Sequence, residues 1–324
     1  MAVNIASLFS RDKIIRRLEQ APLLKSTVMD TYFATRPQVE SALIPAELVE
    51  QTVHEAPFIR RGAPSIPATK ETGSIAFYEP LPIRVNVRVT AAELNNIKNL
   101  PVSSQEAWAA RRQEMLRKLI RKTSEALTAV AMSGTFTWPV KLEGGGWDSY
   151  QVSFGSVLTV SPSYITASSK VKDVWAILTA MREALEEKGY GGSVRVEAGS
   201  TAYATLMSIA EAVTSTAKIR VEVMDDHIDM GGFMIYRQAE TYRNPQTGAA
   251  TKKLADKYLR MVALDGEHQM PYAAVDDLDA NLQPMPLFFK PVRTADPSGY
   301  TIVGESKPFP CPNVNAIVLD QVIA

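Results

Sequence analysis

The densest group of possible metal ligands in this 324-residue chain is DDHIDMGG (225–232), with Asp225, Asp226, His227 and Asp229 close together. Carboxylates and imidazole bind hard and borderline cations. A metal-dependent hydrolase using Asp225, His227 and Asp229 is therefore one reading. The spacing matches no established loop, and a solvated acidic turn after a strand at 219–223 accounts for it more simply. A nucleophile–histidine–acid triad has little to draw on, since His54, His227 and His268 are the three histidines and none adjoins a G-x-S-x-G motif. Cys311, the single cysteine, lies in PFPCPN without a neighbouring cation to lower its pKa, and reads as a small packed residue. GYGG (189–192) follows a helical pattern, whereas a phosphate loop follows a strand and carries a lysine. EGGGW (143–147) sits between extended pieces, so both glycine clusters read as turns. No catalytic, cofactor or metal residue is expected.

Charge offers a different lead. Residues 111–122 carry six Arg and Lys against one Glu, in a chain whose 35 basic and 35 acidic residues balance. With no global field to draw nucleic acid or anionic lipid, any selectivity must be local. The charged side of this segment lacks the interleaved aromatics of a nucleic-acid grip. Residues 265–279 hold Asp265, Glu267, Asp276, Asp277 and Asp279 without Lys or Arg, an opposite patch. Charge matching of this kind sets register between subunits. A solvated helical face, a subunit contact and a DNA contact are the three readings, in that order.

The elements that carry these charges follow from periodicity. Ser103 and Glu106 form an S-x-x-E capping box, and Gly134 stands where a helix would stop. Trp108, Met115, Leu116, Leu119, Ile120, Leu127 and Val130 share one side of the helix expected over 103–134, with most charges opposite. Upstream, IRVNVRV (83–89) alternates strictly, with Arg84 and Arg88 on the polar face, and predicts a strand with one buried side. With an extended stretch at 53–67 and a turn-rich tip at 67–73, it reads as a long hairpin. An isolated hairpin is marginal in water, so its apolar face needs cover, most naturally from another subunit. Residues 1–50 read as an arm with a short amphipathic piece at 11–19. Beyond 168, helices at 171–185 and 201–213 alternate with strands at 194–197 and 219–223, which suggests a compact α/β unit. Strands are also expected at 233–238 and 258–265, flanking a turn at 244–248, and again from 287 to the end. The start lacks a secretion signal and no run approaches the ~18 apolar residues of a membrane span, so a soluble chain made in a cytoplasm is expected.

Taken in order, these parts make an α+β chain that resembles the major capsid proteins of tailed bacteriophages with the Hong Kong 97-type fold. More narrowly it resembles the lambda-like capsid protein E family. The resemblance is carried by APFIRRGAPSIPATKETGSIAFYEPLPIRVNVRV (56–89), SGTFTWPVKLEGGGWDSYQVSF (133–154) and FFKPVRTADPSGYTIVGESKPFPCPNVNAIVLDQVIA (288–324), which includes a D-P turn at 296–297. It implies an N-terminal arm (1–52), an extended loop (53–90) and a peripheral domain (91–167) with the spine helix. It further implies an axial domain (168–286) and closing strands (287–324) that return to the peripheral domain.

What the family implies is assembly without chemistry: hexamers and pentamers tiling an icosahedral shell around double-stranded DNA, with no enzyme activity and no cofactor. The implied partners are copies of itself, a scaffolding protein, a portal, a maturation protease and, on decorated shells, a decoration protein. The implied location is the virion, after assembly in the host bacterial cytoplasm. Lys70, Arg84, Arg88, Arg117, Lys118, Arg121, Asp276 and Asp277 are the candidate subunit contacts. Some relatives weld their shells by an isopeptide bond, for which Lys70 and Asn313 or Asn315 are the matching residue types here. The lambda-like branch resembles shells without such bonds, so none is expected. An encapsulin-like host nanocompartment of the same fold is the second reading.

Overall fold

The structure is a computed structural model that describes residues 8, 10–45, 77–213 and 219–324. The expected strand at 53–67, the tip at 67–73, His54 and Lys70 lie outside the described residues.

The helix with the charge run spans Val102–Ala131. It starts two residues earlier than the S-x-x-E box, with Ser103 as cap, predicts. Pro101 takes the cap position and its carbonyl accepts from the N–H groups of Ser104 and Gln105. The box does not form, and Glu106 pairs with Lys13 at 2.9 Å. Gly134 ends the segment at φ +82, where a Cβ would stand 2.5 Å from the carbonyl oxygen of Gly155. Glycine tolerates both the left-handed backbone and that approach.

The inward face of this helix is rotated from the expected one. Gln105, Ala109, Gln113, Leu116, Ile120, Ser124, Leu127 and Ala131 are buried, while Met115 and Leu119 stay half exposed. Two buried glutamines replace the expected apolar residues because they meet backbone. Gln105 donates to the carbonyls of Lys98 and Leu100, and Gln113 donates to that of Ile14. These bonds offset the cost of burying the two NH2 groups, while the Oε1 atoms of both glutamines stay buried without a partner among the described residues.

Two sheets flank the helix. In the first, Ile83–Thr90 pairs antiparallel with Gly299–Ser306, which pairs with Phe288–Thr294. Val87, Val89, Phe289 and Ile302 pack on Ala109, Leu116 and Ile120. The apolar side of IRVNVRV, expected to be covered by a neighbouring subunit, is thus covered by its own spine helix. Gly304 permits the close fit, since a Cβ there would meet the Phe289 ring at 2.5 Å.

The second sheet has six strands in the order Ile317–Gln321, Tyr258–Ala263, Val194–Ala198, Phe233–Arg237, His227–Met230 and Val221–Val223. Of its pairings, Val194–Ala198 with Phe233–Arg237 is parallel and the others are antiparallel. Helices Val171–Glu186 and Ser200–Glu211 cover one face, where Val174, Leu178, Met181, Leu185 and Leu206 meet Val196, Ile235 and Met261. The turn at 244–248 joins two further short strands, Thr241–Arg243 and Ala250–Lys252. The closing strands divide between the sheets. Gly299–Ser306 and, beyond it, Phe288–Thr294 complete the sheet of Ile83–Thr90, whereas Ile317–Gln321 joins the six-stranded sheet.

The other face of the six-stranded sheet carries Arg260 and Glu197, directly opposite in register and both buried. Arg260 Nε donates to Glu197 at 3.2 Å. The arm closes this face: Val28, Met29, Tyr32 and Phe33 pack with Val262, Met270, Ile317 and the spine residues Ala129 and Met132. His268 lies among them, with the Phe33 ring 5.8 Å away and Nδ1 accepting from the Asn313 N–H at 3.0 Å. Burial, reinforced by Arg260, pushes its pKa from 6.5 down to about 4.

Two outcomes follow from these buried charges. A neutral His268 is stabilising above its unfolded pKa, and that contribution is lost as pH falls from 6.5 to about 4. Over that window the wild type loses about 3 kcal/mol more stability than His268→Gln, measurable by urea unfolding at a series of pH values. Glu125, which meets the arm and Lys253 as described below, gives the second. Removing one partner of a buried pair costs ~3–5 kcal/mol, so Glu125→Ala lowers the unfolding midpoint sharply. The Glu125→Met/Lys253→Met double variant loses less than the two single changes added together.

Candidate functional site

The contacts that hold the segments of the chain together make the candidate site, and the spine helix is their centre. Its polar positions 106, 113, 117, 121 and 125 fall in one stripe and take hold of the arm in order. Lys13 meets Glu106, and Gln113 meets the Ile14 carbonyl. Arg117 donates to the Pro22 carbonyl at 2.8 Å while Glu114 holds its guanidinium at 2.7 Å. Arg121 donates to Ser26 Oγ at 2.8 Å and to Asp30, which Arg36 also holds. Burial alone would raise the Asp30 pKa, yet the bonds from Arg36 and Arg121 keep it below the usual carboxylate value.

The stripe ends at Glu125. Its carboxylate accepts from the N–H groups of Val28 and Met29, both at 2.8 Å, and so caps helix Val28–Thr31. It also meets Lys253 Nζ at 2.6 Å, with 6% of the Lys253 side chain exposed. Lys253 further contacts Glu240 and Thr27. Four chain segments therefore meet in one charge group, with Glu125 and Lys253 shielded and Glu240 at its exposed edge.

The basic run has two sides. Arg112 meets Glu93 at 2.7 Å and stacks over Trp108, so it joins Arg117 and Arg121 in contacts within the chain. Arg111, Lys118 and Lys122 are exposed, with Lys118 3.8 Å from Glu114. Three of the six cations in 111–122 thus face outward.

The structure brings Arg84, Asp276 and Asp277 together at one end of the spine's sheet. Arg84 lies 3.3 Å from Glu305, its partner in register, and 4.0 Å from Asp277. Asp277 is buried against Lys290 at 2.5 Å, and Asp276 binds buried Lys307 at 2.6 Å. Burial raises the Glu305 pKa, and Asp277 and Asp276 add to that against the pull of Arg84. Much of the acidic patch is thus answered by lysines of the same chain. Arg88 is exposed on the outer face of Ile83–Thr90, away from this cluster.

The other candidates are placed as follows. His227 Nδ1 is 2.6 Å from Asp226 Oδ1, and Asp229 accepts from the Gly232 N–H to shape the turn. Among the described residues, no three His, Cys, Asp or Glu side chains converge on a metal position. Cys311 is buried, which pushes its thiol pKa up. The Asn313 side-chain amide donates to the Tyr190 hydroxyl, and its oxygen accepts from the Asn315 N–H. Gly189 and Gly145, both at positive φ, close a helix and a hairpin turn. Among the described residues, no helix is long and apolar enough to cross a membrane. Glu125, Lys253, Glu240, Lys290, Lys307 and Glu305 were not foreseen. Lone charges within ordinary polar stretches carry no sign of burial in the sequence.

The fold matches a solved capsid protein of a prophage of E. coli CFT073, with 15% identity, 100% of each chain covered and a TM-score of 0.60. A virus-like particle from Pyrococcus furiosus aligns at 10% identity over 97% of each chain, with a TM-score of 0.47. An encapsulin complex of Synechococcus elongatus PCC 7942 aligns at 12% identity over 95% of each chain, with a TM-score of 0.45. No curated protein matches the chain. The family model for phage major capsid protein E matches residues 10–319, nearly the whole chain. With its Hong Kong 97-type architecture and no catalytic role, this chain belongs to the phage major capsid protein E family.

Proposed function

We propose that this chain builds an icosahedral phage head as hexamers and pentamers that enclose double-stranded DNA without reading its sequence. The family match over residues 10–319 carries the reading. Electrostatics support the DNA part: the chain is neutral overall, and half of its basic run is taken up by its own arm and loops. What stays exposed is too sparse for a dedicated phosphate track, since non-specific affinity grows with each phosphate neutralised.

Within that reading, residues 1–52 are the arm, 91–167 the peripheral domain, 168–286 the axial domain and 287–324 the closing segment. The loop at 53–90 reaches a neighbouring copy through its part before Phe77, because Phe77–Tyr78 pairs with Ile44–Pro45 and Ile83–Thr90 is committed to its own sheet. Among the candidate contacts, Arg88, Lys118 and Asp276 act directly on a neighbour. Arg84, Arg117, Arg121 and Asp277 act indirectly, by fixing the loop base and the arm. Lys70 belongs to the reaching loop. A scaffolding protein, a portal, a maturation protease and a decoration protein are the further partners of such a head.

Electron microscopy of the overexpressed chain tests the assignment. Closed shells of uniform symmetry are expected, and chains that stay monomeric even beside a scaffolding protein would refute it. Shells that close unaided around a protein cargo would favour the nanocompartment reading. Arg88→Glu should leave the stability of the free chain within ~0.5 kcal/mol, as for exposed sites generally, yet reduce shell yield. Denaturing electrophoresis of shells should give one monomer band, since the Asn313 amide is engaged within its own chain.

A further inference from the structure

The loop at 276–283 is built to hold two leucines in water. Leu278 is 83% exposed and Leu282 52%. Asn281 and Leu282 both sit at φ +54, a left-handed backbone that side-chain-bearing residues adopt at a cost. Local bonds keep the loop in that shape: Asp277 Oδ1 accepts from the Asp279 N–H, and the Leu282 N–H donates to the Asp277 carbonyl. Buried Ala280 and the Asp277–Lys290 pair anchor it from beneath. Glycine would meet the backbone demand at 282 more readily than leucine. Asp276 and Asp279 flank the leucines; Lys307 and Lys290 hold these aspartates from within the chain at 2.6 and 3.2 Å, yet 66% and 72% of the aspartate side chains stay exposed.

A matching surface lies on the outer side of the spine helix. Met115 and Leu119 are one turn apart, 50% and 48% exposed, and belong to none of the buried clusters. Lys118 and Lys122 run beside them, both exposed. An apolar patch with a polar rim marks a contact surface, and the two rims have opposite charge.

We propose that the leucine loop of one copy docks on the Met115–Leu119 strip of a second copy, with its aspartates facing Lys118 and Lys122. The inference rests on the capsid reading and specifies one of its contacts. Loop and strip are different surfaces, so the contact is head-to-tail, the type that closes rings instead of pairs. Opposite rim charges fix the register, while the four apolar side chains leave water.

Reciprocal charge reversal tests it in the full chain, with shells counted by electron microscopy and sedimentation. Asp279→Lys alone, and Lys118→Glu/Lys122→Glu alone, should each weaken association by about tenfold or more. The three changes together should restore most of it. Leu278→Ser, at a site too exposed to disturb the core, should also weaken assembly. Leu282→Gly should do the same without lowering the Tm of the free chain. Wild-type shells accompanied by unaffected single reversals, or by a combined variant no better than its parts, overturn this contact and leave the capsid reading standing. A wild-type chain that forms no shells overturns both.

Discussion

A buried charge must be partnered, and the fold of this chain is arranged around meeting that demand at Glu125. Its carboxylate satisfies two otherwise open N–H groups of helix Val28–Thr31 and neutralises Lys253, itself shielded from water. Because the partners come from the arm, the spine and the segment between strands Phe233–Arg237 and Tyr258–Ala263 of the six-stranded sheet, no one of these can move alone without exposing an unpaired ion. The desolvation cost of such pairs makes them weak sources of net stability but strict enforcers of geometry. The six-stranded sheet depends on that geometry directly. Its Arg260–Glu197 face is sealed by Met29, which Glu125 holds, and by Tyr32 and Phe33, which follow it.

The spine helix serves as a common wall for both sheets. Its first half packs against Ile83–Thr90 and Gly299–Ser306, while its second half meets the arm, the six-stranded sheet and the Thr135–Lys141/Trp147–Ser153 hairpin. A single long helix can do this because 30 residues extend about 45 Å. Crowding around it explains why Gln105 and Gln113 sit in its buried face: backbone carbonyls from the neighbouring segments end there and need donors.

Elements governed by local period were legible in the sequence. The alternation of IRVNVRV, the glycine stops at 134 and 189, and the helices near 171 and 201 all correspond to observed elements. What failed depended on tertiary neighbours. The helix phase was misjudged at Met115 and Leu119 because amphipathicity locates an apolar stripe but not which part of it the fold covers. The apolar side of 83–89 is assigned to another subunit because nothing local reveals that the spine helix folds back onto it, or that strand 299–306, more than 200 residues later, pairs along its edge. Arg117 and Arg121 looked solvated because the arm that neutralises them is itself polar. The likeness to a capsid family was legible in the order of parts, while the paired charges behind that order were not.

The two sides of the basic run show why its charge count misleads. A helix carrying +5 over twelve residues suggests a polyanion, yet its charges point around more than half the circumference, and each direction meets something different. Arg117 and Arg121 face a carbonyl, a hydroxyl and a carboxylate of the arm, so their field is satisfied within a few ångströms. Arg111, Lys118 and Lys122 border a half-exposed apolar strip, where the Debye length of ~8 Å at physiological salt limits them to contact partners. A phosphate backbone would be served equally well by lysines anywhere on this face. Lysines ranged along an exposed methionine and leucine are better suited to a partner with an apolar centre, and in the proposed shell such a partner is supplied by the next copy of the chain.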